Sequence, residues 1–215
     1  MKKTLIFCTI LAAAFAAVSC SSKEAAQPAD VLANETIRTI MNRKSVRSFT
    51  DEPVPAEYME VMLKAAMASP SGSNIQPWHF VVLNDRSQFE RIFEGNSNMR
   101  IFQTAASIVV FCGDTTVTRI PRDNPDAGPV VRPNATWRDD MGSCTENFLL
   151  AAESLGLGAV WTTIHPYPER SLPVRNALEL PNNVVPYCAV ALGYPAADEQ
   201  PKDKWKPERI HYDRW

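Results

Sequence analysis

Four short runs, at residues 78–83, 107–112, 158–163 and 185–192, contain no Asp, Glu, Lys or Arg and are rich in β-branched and aromatic residues. Runs of that length and makeup read as buried strands. Helical patterns separate them. Asn34 or Thr36 caps a first helix carrying Ile37, Ile40 and Met41, which ends before Ser45. A second starts at Pro55 and continues through Tyr58, Met59, Met62, Leu63, Ala66 and Met67 to stop at Ser69-Pro70. Asn84-Asp85 closes the first strand, and a helix is expected around residues 86–93. The cleanest helix spans 140–155, with Phe148, Leu149, Ala152 and Leu155 on one stripe and Gly156 placed to end it. Another covers 169–178, so strands alternate with helices. Residues 115–136 hold Pro121, Pro125, Pro129 and Pro133 with little periodicity, which predicts a long irregular excursion suited to covering a pocket, with Trp137 nearby.

The first nineteen residues have a different character. Lys2 and Lys3 precede an apolar stretch from Leu5 to Val18 that is too short to span a bilayer, and Ala17-Val18-Ser19 leads into Cys20. This resembles the lipobox of exported bacterial lipoproteins, with Cys20 as the lipidation site. The boundaries expected are a signal peptide at 1–19, a flexible tether at 20–33 and a single domain at 34–215. A diacylated cysteine gives stable anchoring, since each buried methylene contributes about 0.8 kcal/mol and one chain alone is marginal. Loss of Lys2 and Lys3 lowers 22 basic residues to 20 against 24 acidic ones, a net charge of −4. That balance argues against a nucleic-acid surface.

Of five cysteines, Cys112, Cys144 and Cys188 remain for the domain, each alone in an apolar context that suits a buried small hydrophobe. His79, His165 and His211 lack metal-ligand spacing, and no HExxH, CxxC, Walker or Gly-x-Ser-x-Gly pattern is present, so no metal is expected. Gly156-Leu157-Gly158 follows a helix and precedes a strand, the reverse of a dinucleotide-binding turn.

Two segments have the chemistry of a binding site. Arg43-Lys44-Ser45-Val46-Arg47-Ser48-Phe49 gathers three cations and two hydroxyls at a helix exit, donors suited to a phosphate ester; a solvated basic turn would have the same composition. Ser69-Pro70-Ser71-Gly72-Ser73-Asn74-Ile75-Gln76-Pro77-Trp78 is rich in hydroxyls and amides that can serve a heterocycle edge, or can simply connect a helix to a strand.

Together and in this order, these segments resemble the nitroreductase family of FMN enzymes. The likeness continues through Asp140, Glu146 to Ala152, Leu155 to Gly158, Leu192-Gly193-Tyr194-Pro195 and the closing His211-Tyr212-Asp213-Arg214-Trp215, covering Ile37 to Trp215. It implies an α+β fold, a three-layer α-β-α sandwich with a mixed, mainly antiparallel sheet, in an obligate homodimer. It also implies FMN as cofactor. Arg43 and Ser45 match phosphate contacts, and Arg47 a ribityl or pyrimidine contact, with Lys44 contributing backbone more than charge. Pro70, Ser71, Gly72 and Asn74 match positions along the isoalloxazine, partly across the dimer interface, with Gln76 a further candidate. Backbone groups of Thr163 and Ile164 fall beside flavin N5. In the tail Lys204, then Lys206 and Lys202, are candidates for the phosphate, and Asn96, Asn98 or Arg100 for a mid-chain contact.

The activity implied is ping-pong transfer of two electrons from NAD(P)H or another donor to a nitroaromatic, quinone or related acceptor, with chemistry by FMN and no catalytic side chain. Export would separate the domain from cytosolic NAD(P)H. The alternative is a lipid-anchored flavin- or ligand-binding protein without turnover. The aromatic tail is expected to pack against something and not to be a disordered terminus.

Overall fold

The computed structural model describes residues 33–215. Helix α1 (Glu35–Asn42) begins where the Asn34 side chain accepts from the amides of Thr36 at 3.0 Å and Ile37 at 3.3 Å. That cap satisfies two of the four donors a helix start leaves open. None of α1 is buried. Helix α2 (Ala56–Met67) buries Met62 and Ala66, one turn apart, and exposes Val61 and Met67.

A four-stranded sheet follows, formed by β1 (Trp78–Leu83), β2 (Ser107–Asp114), β5 (Gly158–Thr163) and β6 (Val184–Gly193). Its order is β1-β2-β6-β5 and every strand pairing is antiparallel. The mixed character comes from one isolated parallel bridge, Ser45 to Ala159. Short helices α3 (Phe89–Ile92) and α4 (Met99–Thr104) link β1 to β2, and α4 is an element the sequence pattern did not disclose. Strands β3 (Thr116–Arg119) and β4 (Val130–Pro133) pair as a separate ribbon. The excursion expected to be irregular is therefore a hairpin, its prolines lying at strand ends and in the connection, where no ladder donor is required.

Helix α5 (Trp137–Ser154) starts three residues earlier than its apolar stripe suggested. It buries 137, 140, 141, 144, 145, 148, 149 and 152, an i, i+3, i+4 series that lays one face on the sheet. Gly156, at φ 76°, ends it: the amides of Gly156 and Leu157 bond back to the carbonyls of Glu153 and Ala152 at 3.1 and 2.9 Å. This is a left-handed turn that glycine adopts without a steric cost. Helix α6 (Pro168–Ala177) connects β5 to β6.

The sheet has a packed core on each face, which makes the three layers. On one side Ile108, Val110, Ala189, Ala191 and Val160 meet Phe89, Ile92, Phe102 and Val174. On the other Val109, Phe111, Val190 and Ala159 meet Met62, Ala66, Met141 and Phe148. Phe148 is fully buried, and truncating such a ring costs about 3–5 kcal/mol. No helix among the described residues is long and apolar enough to cross a membrane.

Candidate functional site

The basic turn is fixed by its backbone. After α1 the chain extends at Arg43, and Val46 donates to Ala159 O at 3.1 Å on the edge strand β5. Val46 sits where a Cβ on Gly158 would lie, within 2.7 Å of it. Thr50 then donates to Tyr194 O at 2.9 Å, and Ala196 to Ser48 O at 3.0 Å. Residues 45–50 are thereby clamped between β5 and the chain leaving β6.

The cations on this turn have carboxylate partners. Arg43 Nε lies 3.0 Å from Glu146 Oε1, and Lys44 Nζ 3.1 Å from Glu153 Oε1. Glu146 and Glu153 are seven residues apart on α5, two turns along one side. Lys44 is thus a tether to α5, consistent with a backbone role toward any ligand. Arg47 donates from Nη1 to Ser45 O at 3.0 Å, and its amide donates to Glu199 Oε1 at 3.0 Å. Beside the turn, a cavity of about 510 Å³ is lined by Ile40, Met41 and Arg43 on one side and by Lys202, Asp203, Lys204 and Trp205 on the other. The structure therefore brings Arg43 together with Lys204 and Lys202. Lys206 lies outside this cavity, exposed at the start of the turn Pro207–Arg209.

The hydroxyl-rich loop is held differently. Asp140, 5% exposed, accepts from the Gly72 amide at 2.8 Å and from Thr136 Oγ1 at 3.3 Å. A Cβ on Gly72 would fall 2.4 Å from Thr136 Oγ1, so the close approach requires glycine. Ser73, Asn74 and Gln76 have φ of 51°, 54° and 56°. Three side-chain-bearing residues in the left-handed region so close together store strain, of order 1 kcal/mol or more each. Gln76 N donates to Ser71 Oγ at 3.0 Å, and Gln76 Nε2 to Asn74 Oδ1 at 3.1 Å. Within one chain Ser71, Asn74 and Gln76 knit the loop to itself, whereas Gly72, Ser73 and Ile75 line a cavity of about 840 Å³ shared with the β3–β4 hairpin. Pro70 is exposed at the loop's start.

At the end of β5, the Ile164 amide donates to Tyr187 O at 3.2 Å and its side chain is buried. The Ile164 amide is thus taken up within the chain. Thr163 is exposed, and antiparallel alternation turns its N–H away from β6 toward the open edge; Arg170 Nη1 donates to its carbonyl at 3.1 Å. Close by, Trp137 packs against His165 and Tyr187, with ring centroids 5.0 and 6.0 Å away. Trp137 is 4% exposed and belongs to the core. Burial, aided by the Arg138 charge, holds His165 below the usual imidazole value.

The mid-chain candidates line neither cavity. Asn96 is buried, its Oδ1 accepts from Asn98 N at 2.9 Å, and its Nδ2 has no partner; Asn98 stands at the start of α4 without a side-chain capping bond, and Arg100 is exposed. Burial pushes the thiols of Cys112 and Cys144 up to about 12 and that of Cys188 well above its ordinary value. All three are inert core residues, as expected. No cluster of potential metal ligands occurs among the described residues. Cys20 and the other residues of 1–32 lie outside the described part.

Two features were absent from the sequence-based site. One is Asp140 as the anchor of the Gly72 loop. The other is the arginine set Arg119, Arg122 and Arg132 on the 840 Å³ cavity, which three arginines in fourteen residues of the excursion could have signalled.

The fold is a three-layer α-β-α sandwich, and comparison supplies the class. The profile described as "Nitroreductase family" matches residues 40–95 and 88–194, and the chain belongs to that family. A protein of Archaeoglobus fulgidus, provisionally named an NADH dehydrogenase/NAD(P)H nitroreductase, is 35% identical over 184 residues, covering 84% of this chain and 99% of its own. The oxygen-insensitive NADPH nitroreductase of Salmonella typhimurium is 31% identical over 176 residues, 81% of this chain and 72% of its own. Among solved structures, a provisionally named NADH dehydrogenase/NAD(P)H nitroreductase from Bacteroides thetaiotaomicron superposes with a TM-score of 0.74 at 36% identity, covering 85% of this chain and 99% of that one.

Proposed function

We propose that this chain is an FMN-dependent oxidoreductase that passes two electrons by ping-pong exchange from NAD(P)H or another donor to a small acceptor of the nitroaromatic or quinone kind. We further propose that it works as a homodimer exported and tethered to a bacterial membrane, on the periplasmic side or at the outer membrane, by lipid on Cys20. The observation that carries the flavin reading is the gathering of Arg43, Lys202 and Lys204 on one cavity, in a chain of this family. Relatives named NADPH-flavin oxidoreductase in Vibrio harveyi and FMN reductase in Bacillus subtilis support the same cofactor.

The donor set fits a phosphate ester. Arg43 engages Glu146 through Nε, which leaves its terminal nitrogens for an anion, and Ser45 and Lys204 add a hydroxyl and an ammonium. Arg47, about half exposed, reaches past Ser45 toward the ribityl side. FMN held there supplies reversible two-electron chemistry at N5. The outward Thr163 amide would donate to the ring edge where negative charge develops, the role a preorganised backbone dipole performs best. No side-chain acid, base or nucleophile is needed.

Two features support the dimer. The Arg43 cavity and the Gly72 cavity share no residue, which favours a flavin on Arg43 that is completed by Pro70 to Asn74 of a second copy. In a single chain residues 201–215 are exposed throughout, with Trp205, Tyr212 and Trp215 uncovered, as are Met41, Val61 and Met67 on α1 and α2. Apolar surface of that extent calls for a partner.

Purified protein reconstituted with FMN should keep oxidised-flavin absorption through gel filtration and bleach under anaerobic NADH, NADPH or a quinol. Colourless protein would defeat the flavin reading, and flavin that no donor bleaches would favour a binding protein without turnover. For the tether, Cys20→Ser should move the protein from the membrane to the soluble fraction with its flavin content intact; retention in the membrane would refute lipidation at Cys20.

A further inference from the structure

We infer that the hairpin cavity is a subsite for the anionic group of the substrate, so that the preferred acceptor is an aromatic carboxylate and not a neutral molecule; this rests on the flavin reading above. Strands β3 and β4 place Val117 opposite Arg132 and Arg119 opposite Val130. Strand alternation therefore puts Arg119 and Arg132 on one face of the ribbon as diagonal neighbours, within reach of each other's long side chains. Arg122 joins them from the connection, and the three share the cavity with Gly72 and Ser73.

Like charges on one face of a four-residue ribbon oppose its pairing unless something offsets them. The chain supplies little. Asp123 is the one carboxylate on the cavity wall, and among the described residues none of the three arginines is in an ion pair. Arg119 makes a single long contact, from Nη2 to Ser73 O at 3.4 Å. Arg43 and Lys44, by contrast, are both matched by glutamates on α5. An acidic chain that concentrates unmatched guanidinium groups at one concave spot has the makings of an anion site, since guanidinium forks pair with carboxylates in two parallel bonds.

The hairpin is anchored firmly enough to present them. The Asn134 amide donates to Thr115 O at 2.8 Å, and Asp114 accepts from Thr116 N and Oγ1 at 2.8 Å each. The wall opposite the arginines is the Gly72–Ser73 turn that is expected to lie along the flavin. A ligand with its carboxylate among the arginines would thus extend its ring toward the reacting face. A cavity of about 840 Å³ accommodates a one-ring or two-ring acid with room for solvent.

The test pairs 4-nitrobenzoate with its uncharged methyl ester, on wild type, Arg119→Gln/Arg132→Gln and Arg119→Lys/Arg132→Lys. Arg119 and Arg132 are both exposed, so folding is preserved. Equilibrium dialysis, which needs no turnover, should show the Gln pair binding the carboxylate roughly tenfold more weakly, the Lys pair retaining most of the affinity and the ester unaffected. In turnover, kcat/KM for the acid should fall by a similar factor, with the value for the ester unchanged. Equal losses for acid and ester, or an unchanged affinity for the acid, would overturn the subsite. So would retention on phosphatidylglycerol vesicles that depends on these arginines while small-acid binding does not. Protein lacking flavin would refute the flavin reading alone, since dialysis still reports on the arginines.

Discussion

The turn at residues 43–50 and the loop at residues 69–76 are expected to serve one ligand, yet they are built on opposite plans. The first is fastened through main-chain bonds to β5 and to the segment after β6, and its charges are balanced by Glu146, Glu153 and Glu199. The second is fastened by one buried carboxylate, Asp140, and holds three side-chain-bearing residues at positive φ beside arginines that lack carboxylate partners. A turn of the first kind keeps its shape when a side chain changes. A loop of the second kind depends on single groups.

Arg43→Ala with Ser45→Ala should separate shape from affinity most sharply. FMN binding should weaken by about 2–5 kcal/mol, because charge-assisted contacts to a phosphate contribute roughly 1.5–3 kcal/mol each, while the backbone clamp preserves folding. A fluorescence titration with FMN checks this, and unchanged affinity would reject the phosphate assignment. Asp140→Ala attacks the other plan. It should cost about 1.5–3 kcal/mol of stability by leaving the Gly72 amide without its acceptor, and should release the loop, seen as new proteolytic cleavage near residue 72. Equal stability and an uncut loop would show that Asp140 is not the anchor.

The smallest effect is a pH dependence. His165 is depressed by burial and by Arg138, so between its folded value and the ordinary value near 6.5 the unfolded chain binds more protons than the folded one. Its contribution to stability is therefore complete above that ordinary value and is lost as pH falls through the folded value. Denaturant midpoints measured from pH 7.5 to 5 should decline, and the decline should shrink in Arg138→Gln. A flat profile would mean that His165 is unperturbed.

Much of the layer structure was legible because the four apolar strand runs and the α5 stripe are periodic and locally complete. Gly156 announced the helix end by a conformation that few other residues accept. The hairpin was hidden because Pro121, Pro125, Pro129 and Pro133 masked two four-residue strands, and α4 because six residues carry too little periodicity. The site divides along the same line. Arg43 and Lys204 stand out as candidates in the sequence, and both line one cavity. The ion pair of Arg43 with Glu146 and the bond from Gly72 to Asp140 were not, since each joins residues far apart in sequence that only the packing of α5 brings together. The sheet ladder that takes the Ile164 amide likewise depends on register, which β5 alone does not specify.

The central claim is that one flavin site is completed by two copies, the basic turn from one and the Gly72 loop from the other. Subunit mixing tests it directly. An Arg43→Ala/Ser45→Ala chain and a Gly72→Val chain should each purify without flavin, whereas unfolding, mixing and refolding them together should recover about a quarter of the wild-type flavin, because random pairing leaves one intact site in half of the dimers. Mixed protein that stays colourless, while refolded wild type regains its colour, would contradict the account.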